Sequence, residues 1–197
     1  CEGGDLRPVL NPATGTQLAR VPLAREAELS AALASARQAQ SGWAALGGEG
    51  RARHLFALAR ALQKQERLFA ETEALNLGGS LRALRERDLP LAIQSLRHHA
   101  GSALQREEPS SAALPHGICA GLCTRQAPLL TAVTLLAPAL AAGNVVVLKP
   151  SHLTPLSADL LAGLAQDSGL PPGVLTLLQG DEETGALLSG HPEVDMV

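Results

Sequence analysis

Lys149 is the residue whose position says most about chemistry. It ends the run Val145-Val146-Val147-Leu148, a β-branched stretch typical of a strand buried on both faces. Ligands of open parallel sheets sit beyond the carboxyl ends of the strands, so an ammonium there can donate hydrogen bonds to a ligand. It reads equally well as an exposed lysine at a strand end. Cys123 follows a small apolar strand from Ile118 and lies at the same edge, where a thiolate could act as a nucleophile. No His or carboxylate stands beside it in sequence to lower its pKa, and apolar neighbours raise it; a small core or strand-end cysteine is the better reading. The three cysteines, Cys1, Cys119 and Cys123, form neither a disulfide framework nor a metal-ligand spacing, so no metal is expected. Gly180-Asp181-Glu182-Glu183-Thr184-Gly185 is a glycine turn whose acids suit a helix N-terminus.

Composition narrows the classes. The 197 residues are 46% hydrophobic and 18% charged, with net charge −3, one Trp, two Phe and no Tyr. Leu, Ala and Val must build the core. Single-stranded nucleic acid is excluded as a partner, because the aromatic stacking platform and clustered cations are missing. The basic run from Arg51 to Arg67, interrupted by Glu66, is a solvated helix face. Glu2, Asp5 and Arg7 interrupt any early apolar run, so no signal peptide is read, and a start at Cys1 reads as an excised segment. A reducing, cytoplasmic setting is expected. Residues 127–148 carry no charge and could span a bilayer on length alone. Pro138 and the Gly143-Asn144 pair argue instead for a helix stop followed by a strand.

The elements that must position these residues follow in order. Residues 7–23 are extended around a turn at Asn11-Pro12-Ala13-Thr14-Gly15. Helices are expected from Arg25 to about Leu46, from Arg51 to Leu75, and from Leu81 to about Ala100 with a kink or restart at Pro90. Residues 102–114 read as a linker. Beyond Pro115 the pattern alternates: strand Ile118–Cys123, helix Gln126–Ala142, strand Val145–Lys149, helix Pro155–Asp167, strand Val174–Gln179, helix Glu182–Leu188, and a strand opening at Val194–Val197. Alternation of this kind calls for a parallel sheet with right-handed crossovers. The fold class is therefore α/β: an N-terminal hairpin and helices over 1–101, a loop over 102–114, and the first part of an open parallel Rossmann-like sheet over 115–197.

The run from Ala137 to Pro150, APALAAGNVVVLKP, resembles the central signature of the aldehyde dehydrogenase superfamily. Leu153-Thr154-Pro155-Leu156-Ser157, Gly169-Leu170-Pro171-Pro172-Gly173-Val174 and His191-Pro192-Glu193-Val194 continue the likeness. Asn11-Pro12-Ala13-Thr14-Gly15, Trp43 and Ala100-Gly101 extend it to the first hundred residues. The resemblance implies an NAD-dependent oxidoreductase fold in which this stretch opens the cofactor domain. It also implies that Lys149 hydrogen-bonds the adenosine ribose, and that Ser151 either assists there or makes a local turn bond.

The departures set the functional expectation. Where the family has Pro-Trp-Asn, whose Asn amide helps hold the oxyanion, this chain has Thr124, Arg125 and Gln126. Gln126 sets its amide one methylene further out, and losing an oxyanion donor costs about 10²- to 10³-fold in rate. His152 replaces the family's ribose-accepting carboxylate; a neutral imidazole accepts one bond without charge. The turn beginning at Gly180 is one residue short and lacks the family's middle glycine, so NAD binding is expected to be weakened. The family's general-base Glu and nucleophilic Cys have no counterpart in this sequence, so the chain alone is expected to be inactive. The reading is a non-catalytic aldehyde dehydrogenase-like module, similar to the degenerate second module of the tandem family-16 aldehyde dehydrogenases, docking to a companion domain, a like chain or another protein. The alternative is the cofactor-domain fragment of an active enzyme. The shortened loop before Pro115 also puts the family's oligomerisation arm in doubt.

Overall fold

A computed structural model describes residues 6–105 and 114–197. Strands β1 (Leu6–Leu10) and β2 (Gln17–Pro22) form an antiparallel hairpin. At its turn the Asn11 side chain accepts from the Ala13 N–H at 2.9 Å, and Gly15 takes φ +71°, a conformation glycine adopts without strain. Helix α1 (Glu26–Ala45) buries Leu29, Leu33, Ala36 and Trp43.

The expected second helix is two. Helix α2 (Gly47–Lys64) ends at Gln65, and α3 (Glu66–Leu77) restarts at once. The break lets α2 pack mainly on a later helix, α5 (Leu89–Gln105), while α3 turns toward α7 (Leu156–Asp167). The restart expected at Pro90 takes the form of a short helix α4 (Leu81–Ala83), a π-helical turn at Leu84–Asp88, and then α5. Pro90 lacks an N–H and its ring crowds the carbonyl four residues back; the wider π turn relieves that crowding. Helix α5 continues past Gly101 to Gln105 because Ala100 and Ala103 are both buried. Ser102 to Gln105 therefore belong to a helix, correcting the expected loop. The remainder of that loop, with the shortened arm, lies outside the described residues, as does Cys1.

Strands β3 (Ile118–Leu122), β4 (Val145–Lys149) and β5 (Leu175–Leu177) pair in parallel in the order β3-β4-β5. Helices α6 (Pro128–Ala141) and α7 connect them. Every residue of β4 is buried, so both faces must be covered: α6 and α7 by right-handed crossover on one, α1 and α8 (Glu182–Ser189) on the other. After α8 the chain crosses to the free side of β3, where the Ala120 N–H donates to the Met196 carbonyl at 2.8 Å. The strand expected from Val194 is a single bridge at Met196 rather than a ladder. The reversal of strand order beside β3 is the switch point at which such sheets bind ligands. The uncharged stretch 127–148 divides at Gly143 (φ +92°) into α6 and β4. Among the described residues no helix is long and apolar enough to cross a membrane.

Candidate functional site

The carboxyl edge of the sheet brings Lys149, Cys123, Ser151, His152 and Gly180 together, with Gln126 on the loop after β3. Lys149 is buried, and its Nζ donates to the Pro150 carbonyl at 2.8 Å and the Gly180 carbonyl at 3.0 Å. It is not the exposed strand-end lysine that the sequence also allowed. Burial lowers its pKa, opposed by Glu182, Asp181 and Cys123. A protonated lysine has three N–H groups, so one remains to donate after these two bonds. A Cβ on Gly185 would stand 3.1 Å from Lys149 Cε, so the glycine fits α8 closely over the lysine stem.

Cys123 lies beside Lys149 in an apolar setting. Burial pushes its thiol up to about 12, and Lys149 only partly offsets this. A thiol with that pKa is almost wholly protonated at neutral pH. Ser151 Oγ accepts from the Leu153 N–H at 3.3 Å, which is the local turn bond. Gln126 is exposed; its carbonyl accepts from the Thr131 hydroxyl at 3.1 Å. The next residue, Ala127, holds φ +44°, a strained value for a residue with a Cβ. His152 Nδ1 lies 3.4 Å from Glu182 Oε1. Burial, then Arg7, keeps the imidazole pKa below its ordinary value against the pull of Glu182, so the ring is neutral at neutral pH.

The acids of the glycine turn have structural partners. Asp181 caps α8 by accepting from the Thr184 N–H at 3.2 Å, the main reason its pKa is lowered. Arg25 reaches both Asp181 (3.4 Å) and Glu183 (3.1 Å). Beneath them the buried Thr184 hydroxyl donates to the Ala24 carbonyl at 2.8 Å. A Cβ on Gly180 would overlap the Thr184 side chain, so only glycine fits. Among the described residues no cluster of His, Cys, Asp and Glu could hold a metal ion.

Residues 2–197 match the profile of the aldehyde dehydrogenase family. The chain belongs to that family. It is 38% identical over 200 residues to 4-trimethylaminobutyraldehyde dehydrogenase B of Danio rerio, covering 96% of this chain and 38% of that protein. Its fold superposes on aldehyde dehydrogenase C of Pseudomonas syringae, solved with NAD+ and octanal, with a TM-score of 0.94 at 33% identity, covering 99% of this chain and 42% of that one. PnpE, solved in complex with nicotinamide adenine dinucleotide, gives 0.91 at 32% identity, over 96% and 41%. This aldehyde dehydrogenase-family chain thus spans about two-fifths of the length of the relatives it matches.

Two buried residues outside the sequence-derived set hold the site's loops. Asn76 donates to the Leu153 carbonyl and accepts from the Leu156 N–H, both at 3.1 Å, fixing the turn that carries Ser151 and His152. Glu73 Oε2 accepts from the Leu129 N–H at 3.0 Å, satisfying an orphan donor of α6 next to the Gln126 loop. Their signal was legible: Phe69, Ala70, Glu73 and Asn76 share one buried helical face, and polar residues on such a face need partners.

Burial raises the pKa of Glu73, against the Ser157 hydroxyl and the Leu129 N–H, while Asp88 adds to the rise. The folded state therefore binds a proton more tightly than the unfolded chain. Stability is fully present below the ordinary carboxylate value and falls as pH rises from there through the raised folded value. Glu73→Gln keeps an acceptor for the Leu129 N–H and cannot ionise. Its melting temperature should fall less than the wild type's between about pH 5 and about pH 8. Parallel melting curves for the two proteins would refute this assignment.

Proposed function

We propose that this chain is a cofactor-domain module of a larger aldehyde dehydrogenase-family protein, retaining the adenosine end of the NAD site and serving a non-catalytic, interaction role. The observation that carries the reading is Lys149, held by the Pro150 and Gly180 carbonyls with one donor to spare. That donor and the free nitrogen of the neutral His152 ring make a donor–acceptor pair suited to a ribose diol. NAD, when bound, supplies hydride acceptance; these residues would only bind and orient its ribose. Near the adenine end three acids, Asp181, Glu182 and Glu183, add negative charge, and Arg25 reaches only two of them. Affinity is therefore reduced. At the oxyanion position the exposed Gln126 follows the exposed Arg125, a poor replacement for a preorganised amide. The companion is a like chain or an aldehyde dehydrogenase domain, as in the tandem family-16 arrangement. The described cysteines, Cys119 and Cys123, are unpaired, in keeping with a reducing cytoplasm.

NADH fluorescence tests the reading. The chain should bind with a dissociation constant on the order of 0.1–1 mM. Lys149→Ala should weaken binding about tenfold or more, since a hydrogen bond from a charged donor is worth roughly 1.5–3 kcal/mol. No aldehyde-dependent NADH should form. Absence of binding at several millimolar cofactor removes the half-site, and aldehyde oxidation above background restores the catalytic reading.

A further inference from the structure

A cavity of about 430 Å³ is lined by the β1–β2 hairpin, the end of α3, Arg125 and the loop that follows β4. Two arginines and a histidine, Arg7, Arg125 and His152, are among its lining residues, and no carboxylate is. Arg7 shares the inward face of β1 with the buried Val9, and its charge reaches the His152 imidazole. Arg125 is exposed. Among the described residues neither guanidinium has an ion-pair or hydrogen-bond partner. The walls are already fixed by other contacts. Asn76 ties the end of α3 to the Leu153–Leu156 turn, and the Thr154 hydroxyl donates to the Arg125 carbonyl at 3.4 Å. The hairpin sits closely on the end of α3, since a Cβ on Gly78 would stand 2.8 Å from Pro12 Cγ.

We propose that this cavity binds a small organic carboxylate with an apolar body, its anionic end held by Arg7 and Arg125. The size is that of small-molecule pockets, which combine apolar walls with a few polar anchors. A lining with two unpaired cations and no acid selects an anion, and the planar guanidinium fork matches both oxygens of a carboxylate. Pro12, Leu77 and Leu153 line the same space. Burying an apolar body against them adds affinity that a bare inorganic anion does not gain. Lys149, Ser151 and Gly180 do not line the cavity, so it shares only His152 with the proposed ribose contacts. His152 makes binding depend on pH. It is faced by Arg7 from β1, Glu182 and Asp181 from the start of α8, and Lys149 from β4. A carboxylate beside Arg7 adds negative charge near the imidazole and raises its pKa. The complex then holds the His152 proton more tightly than the free chain, so affinity rises as pH falls through the free imidazole's pKa.

Benzoate is the probe, titrated against the whole chain without cofactor and followed by two-dimensional amide NMR. Benzamide is the neutral control and inorganic phosphate the bare-anion control. Benzoate should saturate with a dissociation constant on the order of 1 mM, and each control should bind at least about tenfold more weakly. Arg7→Gln and Arg125→Gln should each weaken benzoate about tenfold. Both should keep the wild-type melting temperature, because neither guanidinium pairs with another described residue. Wild-type affinity should be at least about twofold higher at about pH 5.5 than at about pH 7.5, and His152→Gln should flatten that profile. The proposal is overturned by failure to saturate at about 20 mM benzoate, by either control binding as tightly, by undiminished binding to either arginine variant, or by a flat pH profile in the wild type. The titration contains no nucleotide, so failure of the chain to bind NADH leaves this result untouched.

Discussion

Trp43→Ala is expected to cost about 4–5 kcal/mol of unfolding free energy, measured by urea denaturation followed by circular dichroism. Fluorescence cannot follow it, because Trp43 is the single tryptophan. The side chain is 1% exposed, and its Nε1 donates to the Leu140 carbonyl at 3.0 Å. It therefore ties the end of α1 to the end of α6, just before the turn that launches β4. Removing a buried aromatic costs roughly 3–5 kcal/mol from lost burial and the cavity left behind. Loss of the Nε1 hydrogen bond adds about 1 kcal/mol at most, since the Leu140 carbonyl still accepts from the Gly143 N–H at 3.0 Å. Set against a typical domain stability of about 5–15 kcal/mol, that brings the variant close to unfolding. Trp43→Phe should cost much less, about 1–2 kcal/mol, since most of the ring is retained. Arg51 supports the same joint, its Nε donating to the Ala141 carbonyl and its Nη1 to the Ala44 carbonyl. Effects at Trp43 and Arg51 should therefore not add. A loss below about 2 kcal/mol for Trp43→Ala would mean that this joint is not closely packed.

Much of the sheet was legible because its signals are local. The Val145–Leu148 run is β-branched and uncharged, and Gly143-Asn144 marks its start; β4 lies where the sequence put it. The break at Gln65 was not legible. Neither Gln65 nor Glu66 is a helix breaker, and the interruption arises because α2 and α3 pack on different partners. Pro90 signalled a disturbance, but the π turn before it depends on where the neighbouring side chains are buried. The site divides in the same way. Lys149 could be found from its place at a strand end, whereas its actual partners are two backbone carbonyls that carry no sequence signal. Arg25 binds acids 156 and 158 positions away, a contact that exists only once α1 lies against α8. The acids of the glycine turn illustrate the gain: in sequence they read as negative charge near a cofactor, and in the fold Asp181 is a helix cap.

Gly173→Ala is the second large effect, expected at about 3–4 kcal/mol, and Gly169→Ala is its internal control at about 1–2 kcal/mol. Both glycines have left-handed backbones, with φ +81° and +87°, so each alanine incurs the same conformational cost. They differ in surroundings. A Cβ on Gly173 would stand 2.5 Å from the Ser35 carbonyl oxygen and 2.9 Å from Ala39 Cβ, while one on Gly169 would meet nothing within 4 Å. The Ser35 carbonyl is helix backbone and cannot rotate away, so α1 must lift from the start of β5. That displacement spreads to the contacts α1 makes with β4 and β5, which is why the added cost exceeds an ordinary surface change. Denaturation of the two variants side by side isolates the term, since the left-handed contribution cancels in the difference. A gap of about 1.5–2 kcal/mol would establish that glycine at 173 sets how closely α1 approaches the sheet. Equal losses would mean that α1 rests on the sheet through its apolar face alone, with slack enough at Ser35 to admit a methyl group.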